Sequence, residues 1–283
     1  MIIWLASYPK SGNTWIRSFL VSLLFTKDGK SNLDSLNMIG QYPLRSQFKN
    51  LIKDFTNVSE IKKSWIKSQE IINLDKKVRF FKTHHAMVSI DNYNFTNDEN
   101  TLGVIYIVRD PRNIVSSVKN HYSLDSIEQA RDLMFHDEAW TGFEKNPENI
   151  SDKKFPTLLS SWNFNFNSWK QIKKNYLLIK YENLLKNPFD EFGKIINYLK
   201  VVTKTRFSES KISEAINSNN FKNLQIQESQ GKFKENMFNK KNEKIKFFDK
   251  GPENDWRQNL DPTIAKQIEK KFSKEMSELG YLD

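Results

Sequence analysis

The opening of the chain is the feature that most constrains its fold. Ile2-Ile3-Trp4-Leu5-Ala6-Ser7 is a short apolar run that ends in a turn, the pattern of a strand buried at the centre of a sheet. Beyond the turn, Trp15, Phe19, Leu20, Leu23 and Leu24 recur at helical spacing. Strand, loop and helix thus follow one another within 25 residues. Residues 78–83, Leu102 to Val108 and Tyr176 to Lys180 read as further strands, and the second of these runs through the turn Arg109-Asp110-Pro111 into a helix ending near Tyr122.

Helical patterns lie between the strands. Asn187 with Pro188 opens a helix that presents Phe189, Phe192, Ile195, Ile196 and Leu199 on one face. Asp261 and Pro262 open another, with the ladder Ile264, Ile268, Phe272, Met276 and Gly280 as its stop. Alternating strands and helices predict an α/β fold with a parallel sheet and right-handed crossovers. No repeat and no compositional break divides the sequence. The expectation is a single domain over residues 1–283, its central parallel sheet flanked by helices around a P-loop-like strand–loop–helix nucleotide site. The Lys- and Asn-rich stretch 228–246 is expected to be a solvated, mobile surface loop.

Composition narrows the function. Aromatic residues make up 13% of the 283 residues, with 21 Phe and 7 Trp, which excludes a disordered chain. The absence of cysteine excludes a disulfide scaffold, a thiolate metal site and a cysteine nucleophile. Met1 to Lys10 has no signal-peptide pattern, and the apolar stretch Trp15 to Phe25 is interrupted by Arg17 and too short to span a membrane. A soluble cytoplasmic protein is therefore expected. The net charge of +10 points to an anionic partner: a phosphorylated cofactor, an anionic acceptor, nucleic acid or a membrane surface.

The first loop, Tyr8-Pro9-Lys10-Ser11-Gly12-Asn13-Thr14-Trp15, joins a buried strand to a helix N-terminus. Backbone N–H groups and the positive end of the helix dipole converge there, which makes the junction a candidate anion site. Gly12 permits close backbone approach, Ser11, Asn13 and Thr14 add donors, and Lys10 adds a full charge. The Gly-x-x-x-x-Gly-Lys-Ser/Thr signature of nucleotide hydrolases is absent from the sequence.

This loop resembles the 5′-phosphosulfate loop of the sulfotransferases that use 3′-phosphoadenosine 5′-phosphosulfate (PAPS), with Asn13 where that family often has Thr. Three more segments resemble the family in the same order, over residues 8 to 256. Phe80-Phe81-Lys82-Thr83-His84 is similar to the family's Lys-Thr-His. The resemblance implies that His84 is the catalytic base and that Lys82 lies beside the transferring sulfuryl group. An imidazole suits the role, because an acceptor hydroxyl must lose a proton as it attacks. Arg109 and Ser117 match the Arg and the Ser eight residues on that clasp the cofactor's 3′-phosphate, a fork and a hydroxyl suited to that anion.

Lys250-Gly251-Pro252-Glu253-Asn254-Asp255-Trp256 resembles the late motif that closes over the same phosphate, but Asp249 replaces its Arg and Asn254 its second Gly. Tyr181, Trp15 and Phe221 resemble the residues at the adenine end. The implied reaction is metal-free sulfuryl transfer from PAPS to a hydroxyl or amine of a small-molecule or carbohydrate acceptor, leaving 3′,5′-adenosine bisphosphate (PAP). Lys10 would stabilise charge on the leaving phosphate.

Segments 28–75, 123–158 and 225–248 lie outside the motifs and are expected to bind the acceptor; of the aromatics Tyr42, Phe48, Trp65, Tyr93, Phe135, Trp140 and Phe143, most are expected to be core and the rest candidate lining. A nucleotide kinase or GTPase would share the opening but would need the missing Walker spacing. A nucleic-acid binder would explain the charge, yet acids are dispersed among the bases and no recognised binding motif occurs. A degenerate sulfotransferase fold serving as an interaction protein, its PAPS site weakened by Asp249, is the remaining alternative.

Overall fold

Every residue of the strand Ile2–Ser7 is buried, and in the computed structural model it is the middle strand of a five-stranded sheet. The structure describes residues 1–143, 152, 155–235, 237–238 and 243–282. Across the sheet the order is Gly40–Gln41, Arg79–Thr83, Ile2–Ser7, Thr101–Val108 and Tyr176–Lys180. Ile2–Ser7 pairs in parallel with both neighbours, Ile3 opposite Phe80 and Gly103, Ala6 opposite Thr83 and Tyr106. Gly40–Gln41 continues the parallel arrangement against Arg79–Thr83. The expected α/β fold with a central parallel sheet is the fold observed.

Two units, each assembled from separate stretches of sequence, make up the chain. The first comprises Met1–Tyr8, Gly40–Val108 and Met134–Leu178, and the second Pro9–Ile39, Arg109–Leu133 and Ile179–Asp283. The core of the first is aromatic. Trp4 packs edge-on against Tyr42 at 5.4 Å and against Phe95 and Trp169 at 5.7 and 5.9 Å. Its indole N–H is satisfied by Thr101 Oγ1 at 2.9 Å, as a buried Trp requires. The helix Trp162–Trp169 packs on both Ile2–Ser7 and Thr101–Val108.

In the second unit the helix Asn13–Phe25 is buried along its length from Asn13 to Leu23. Phe19 stacks on Phe192 of the helix Pro188–Thr203 at 4.0 Å. Asn187 takes the N-cap position there but makes no side-chain cap bond, and Phe189 in the first turn is 55% exposed rather than on the core face. Asp110 and Asp261 do cap their helices, accepting the N–H groups of Arg112 and of Thr263 and Ile264. The ladder Ile264, Ile268, Phe272, Met276 is buried as expected. It is carried by two helices, Pro262–Lys271 and Ser273–Glu278, because the backbone turns at Phe272 (φ −112°, ψ 21°).

Most described residues of 228–246 are exposed, as expected, but the stretch is more than a loop. Residues 236 and 239–242 lie outside the described ones, but Met237–Phe238 pairs antiparallel with Lys244–Ile245. Phe233 is buried, and Glu235 forms a bidentate pair with the buried Arg17 at 3.0 Å. A buried ring, a strand pairing and an ion pair hold a stretch whose composition is polar. Among the described residues no helix is long and apolar enough to cross a membrane.

Candidate active site

The strand Arg79–Thr83 buries Phe81 and Thr83 and leaves Lys82 half-buried, the alternation of a pleated strand. His84 follows at its C-terminal end, where α/β sheets gather ligands. Its Nδ1 lies 2.8 Å from the carbonyl oxygen of Ser7 and 3.2 Å from Ser7 Oγ. A carbonyl only accepts, so Nδ1 carries a proton, and in the neutral ring the lone pair is on Nε2. The His84 carbonyl is held in turn by Asn165 Nδ2 at 3.0 Å. Asn165 also donates to Leu159 O at 2.8 Å and accepts from the Tyr106 hydroxyl at 2.9 Å. Ring and backbone of His84 are therefore both fixed within the first unit.

His85 has the opposite fate. It is fully buried, stacked on Phe95 at 4.1 Å and edge-on to Trp65 and Trp140. Its Nδ1 donates to Ala86 O at 2.6 Å. Burial pushes its pKa down to about 3, so it is a neutral core residue and not the base.

The first loop enters the second unit at Pro9. Lys10 and Gly12 both have left-handed backbones, at φ 69° and 101°. A Cβ on Gly12 would lie 2.6 Å from Tyr181 Cδ2, so close approach as well as φ requires glycine there. Gly12 caps Asn13–Phe25 without a side-chain bond. Ser11 is fully buried and its Oγ has no hydrogen-bond partner. Lys10 Nζ stands 4.0 Å over the Phe247 ring.

Two arginines follow the strand Thr101–Val108, and their partners separate their roles. Arg112 makes bonds to both Asp110 oxygens, to Glu269 at 2.6 Å and to Tyr281 O at 2.7 Å, and stacks over Trp256 at 4.0 Å. It is satisfied and structural. Arg109 is only 7% exposed, yet its partners are the Tyr181 ring at 4.2 Å and Lys10 O at 3.3 Å. Its Nε is buried with no hydrogen-bond partner. A buried cation with an idle donor can receive an anion.

Each of the remaining predicted residues has its own setting. Trp15 is buried against Tyr181 and Phe192, with its indole N–H on Asn219 O at 2.6 Å. Ser117 is half-buried on the helix Pro111–His121. Asn13 and Thr14 are buried in the first turn of their helix. Phe221 closes on Gly251, where a Cβ would meet the ring at 2.2 Å. Lys250 is exposed and donates to Asn259 Oδ1 at 3.1 Å.

The two departures in the late motif are accommodated. Asn254 sits at φ −78°, a conformation that needs no glycine, and its amide donates to Asn113 O at 2.8 Å. Asp249 is exposed, and it is its backbone carbonyl that is held, by Gln225 Nε2 at 3.0 Å.

The model of the sulfotransferase domain matches residues 2–280 of the 283. The chain belongs to the sulfotransferase domain family. Within it, the chain is 25% identical over 273 residues to cytosolic sulfotransferase 7 of Arabidopsis thaliana, covering 94% of this chain and 76% of that one. Among solved structures it resembles mouse sulfotransferase SULT7A1 complexed with PAP (TM-score 0.58, 18% identity, 97% and 84% of the two chains). Retinol dehydratase in complex with androsterone and PAP is similarly related (TM-score 0.58, 17% identity, 97% and 80%). At these identities the structural likenesses establish the fold.

For this sulfotransferase domain the candidate acceptor lining narrows. Tyr42, Phe48 and Trp65 are fully buried in the first unit's core and line nothing. The Tyr42 hydroxyl donates to Trp65 O at 3.0 Å, and burial raises its pKa. Tyr93 and Phe143 are exposed, and Phe135 and Trp140 half-buried. Residues 144–151, 153 and 154 of the segment 123–158 lie outside the described ones. Ser7, Asn165 and Phe247 escaped the motif reading. For Phe247 a signal existed, since Phe247-Phe248 is an apolar pair inside a Lys/Asn-rich run.

Proposed function

We propose that the chain is a PAPS-dependent sulfotransferase working as one domain over residues 1–283 in the cytoplasm. The family model spanning residues 2–280 and the cytosolic naming of the Arabidopsis relatives support this reading. The observation that carries the cofactor assignment is Arg109, a buried guanidinium with an idle Nε, bonded through Nη1 to the loop residue Lys10. PAP in the related structures is consistent with it.

The cofactor fits the donors present. Lys10, Ser11, Gly12, Asn13 and Thr14 would receive the 5′-phosphosulfate, with the Ser11 hydroxyl unused by the fold. Arg109, Ser117, Lys250 and Gly251 would hold the 3′-phosphate, and Trp15, Tyr181 and Phe221 the adenine end. When bound, PAPS supplies a sulfuryl group to an acceptor hydroxyl or amine. His84 takes the acceptor proton at Nε2, the nitrogen left basic by the Ser7 carbonyl on Nδ1. Lys10 and Lys82 place positive charge against the anionic groups, which preorganised cations do best in a partly desolvated site. The polar segments outside the motifs suit a small-molecule or carbohydrate acceptor.

The test is incubation of the purified protein with PAPS and a panel of hydroxyl and amine acceptors, reading PAP release and product mass. Acceptor-dependent release supports the enzyme. Absence of release together with absence of PAP binding returns the chain to the degenerate-fold alternative, for which Asp249 is the motivating residue.

A further inference from the structure

The turn that carries Arg109 is bonded from behind by the segment 279–281. Arg112 Nη2 donates to the Tyr281 carbonyl at 2.7 Å. The Tyr281 hydroxyl donates to Glu182 Oε2 at 2.8 Å, and Glu182 Oε1 accepts the Asp110 N–H at 2.9 Å. Arg112 closes the circuit on the Asp110 carboxylate. Lys180 bonds the Leu279 carbonyl and lies 4.7 Å over the Tyr281 ring. Gly280, at φ +66°, makes the bend that turns both carbonyls to their donors.

None of these side chains belongs to the proposed cofactor set. Two of them are chain neighbours of residues that do: Asp110 follows Arg109, and Glu182 follows Tyr181. Those neighbours form the 4.2 Å stack of guanidinium on phenol ring. The Glu182 carboxylate holds the backbone of one member at Asp110 while its own backbone carries the other. The separation and tilt of the Arg109–Tyr181 stack are therefore set by where Glu182 sits, and the Tyr281 hydroxyl is what holds the second Glu182 oxygen.

Resting on the sulfotransferase reading above, we infer that Tyr281 and Glu182 are positioning residues for the 3′-phosphate, acting through the Arg109–Tyr181 stack. A purely structural role would alter stability and weaken all nucleotides alike. A positioning role falls mainly on the 3′-phosphate that Arg109 receives and 5′-AMP lacks, so it appears as a fall in the ratio of PAP affinity to 5′-AMP affinity.

The experiment is calorimetric titration of PAP and 5′-AMP into the wild type, Tyr281→Phe, Glu182→Ala and Glu182→Gln, with thermal unfolding of each. Tyr281→Phe removes one hydroxyl and is expected to lower the PAP/AMP ratio about tenfold, the scale of one hydrogen bond to a charged group. Glu182→Ala is expected to lower it at least as much and supplies the reading if Tyr281→Phe does not fold. Glu182→Gln keeps an oxygen for the Asp110 N–H and an amide donor for the Tyr281 oxygen, and should restore the wild-type ratio. Wild-type ratios in folded Tyr281→Phe and Glu182→Ala would overturn the inference and leave the function standing. A wild type that does not distinguish PAP from AMP would overturn the functional reading itself.

Discussion

The Nδ1 atom of His84 lies 2.8 Å from the carbonyl oxygen of Ser7, the last residue of the central strand. The contact puts a proton on Nδ1, which in the neutral ring makes Nε2 the basic nitrogen, as the proposed role of His84 requires. His84→Ala is expected to lower turnover by roughly 10²–10⁴-fold while leaving PAP affinity unchanged. Steady-state kinetics beside calorimetry would check both halves, and wild-type turnover in the mutant would remove His84 from the mechanism.

The two arginines after the third long strand should separate cleanly. Arg109→Ala is expected to weaken PAP by at least about tenfold with little change for 5′-AMP or in unfolding. Arg112→Ala strands the buried Asp110 carboxylate and should cost about 3–5 kcal/mol of stability by denaturant titration. The reverse pattern would mean that the phosphate arginine is misassigned.

Glycine positions give a steric test. Gly12→Ala meets Tyr181 at 2.6 Å in a left-handed backbone, and Gly251→Ala meets Phe221 at 2.2 Å. Both should impair PAP binding strongly. Gly193→Ala, in a helix with nothing within 4 Å, should instead stabilise the fold by about 0.5–1 kcal/mol. Equal effects of the three in binding and unfolding assays would contradict the close approaches described.

His85 makes stability depend on pH. Its pKa falls from 6.5 to about 3 on burial, so between these values the unfolded chain binds a proton that the folded one refuses. Its contribution is intact above pH about 6.5 and is lost as pH falls towards 3. His85→Phe should flatten the melting-temperature profile between about pH 6.5 and 4. A mutant profile parallel to the wild type would show that His85 is not the source.

Ile2–Ser7 was legible because a strand buried on both faces must be continuously apolar, and both it and the half-buried Tyr176–Lys180 are found with the bounds read from sequence. The loop at Lys10 to Thr14 and the Arg109 turn were legible as entries into helices, which start after Gly12 and after Asp110 with Pro111 in the first turn. Ser7 and Asn165 were not, since a backbone carbonyl and a buried amide recognise His84 through the fold and leave no local pattern. Phe233 and the Arg17–Glu235 pair were hidden for the same reason: tertiary partners anchor single residues of a stretch that is otherwise exposed, as its composition reads. Tyr42, Phe48 and Trp65 show the converse, that a large ring in a polar segment is first of all core material, as expected for most of these aromatics.

The central claim is that the second unit binds an adenosine nucleotide through both of its phosphates. Calorimetric titration of the purified wild-type protein with PAP, beside 5′-AMP, tests it most directly. The account predicts micromolar binding of PAP, on the order of −8 kcal/mol, and at least about tenfold weaker binding of 5′-AMP, the 3′-phosphate meeting the idle donor of Arg109. Equal affinities, or no binding of either, would contradict it.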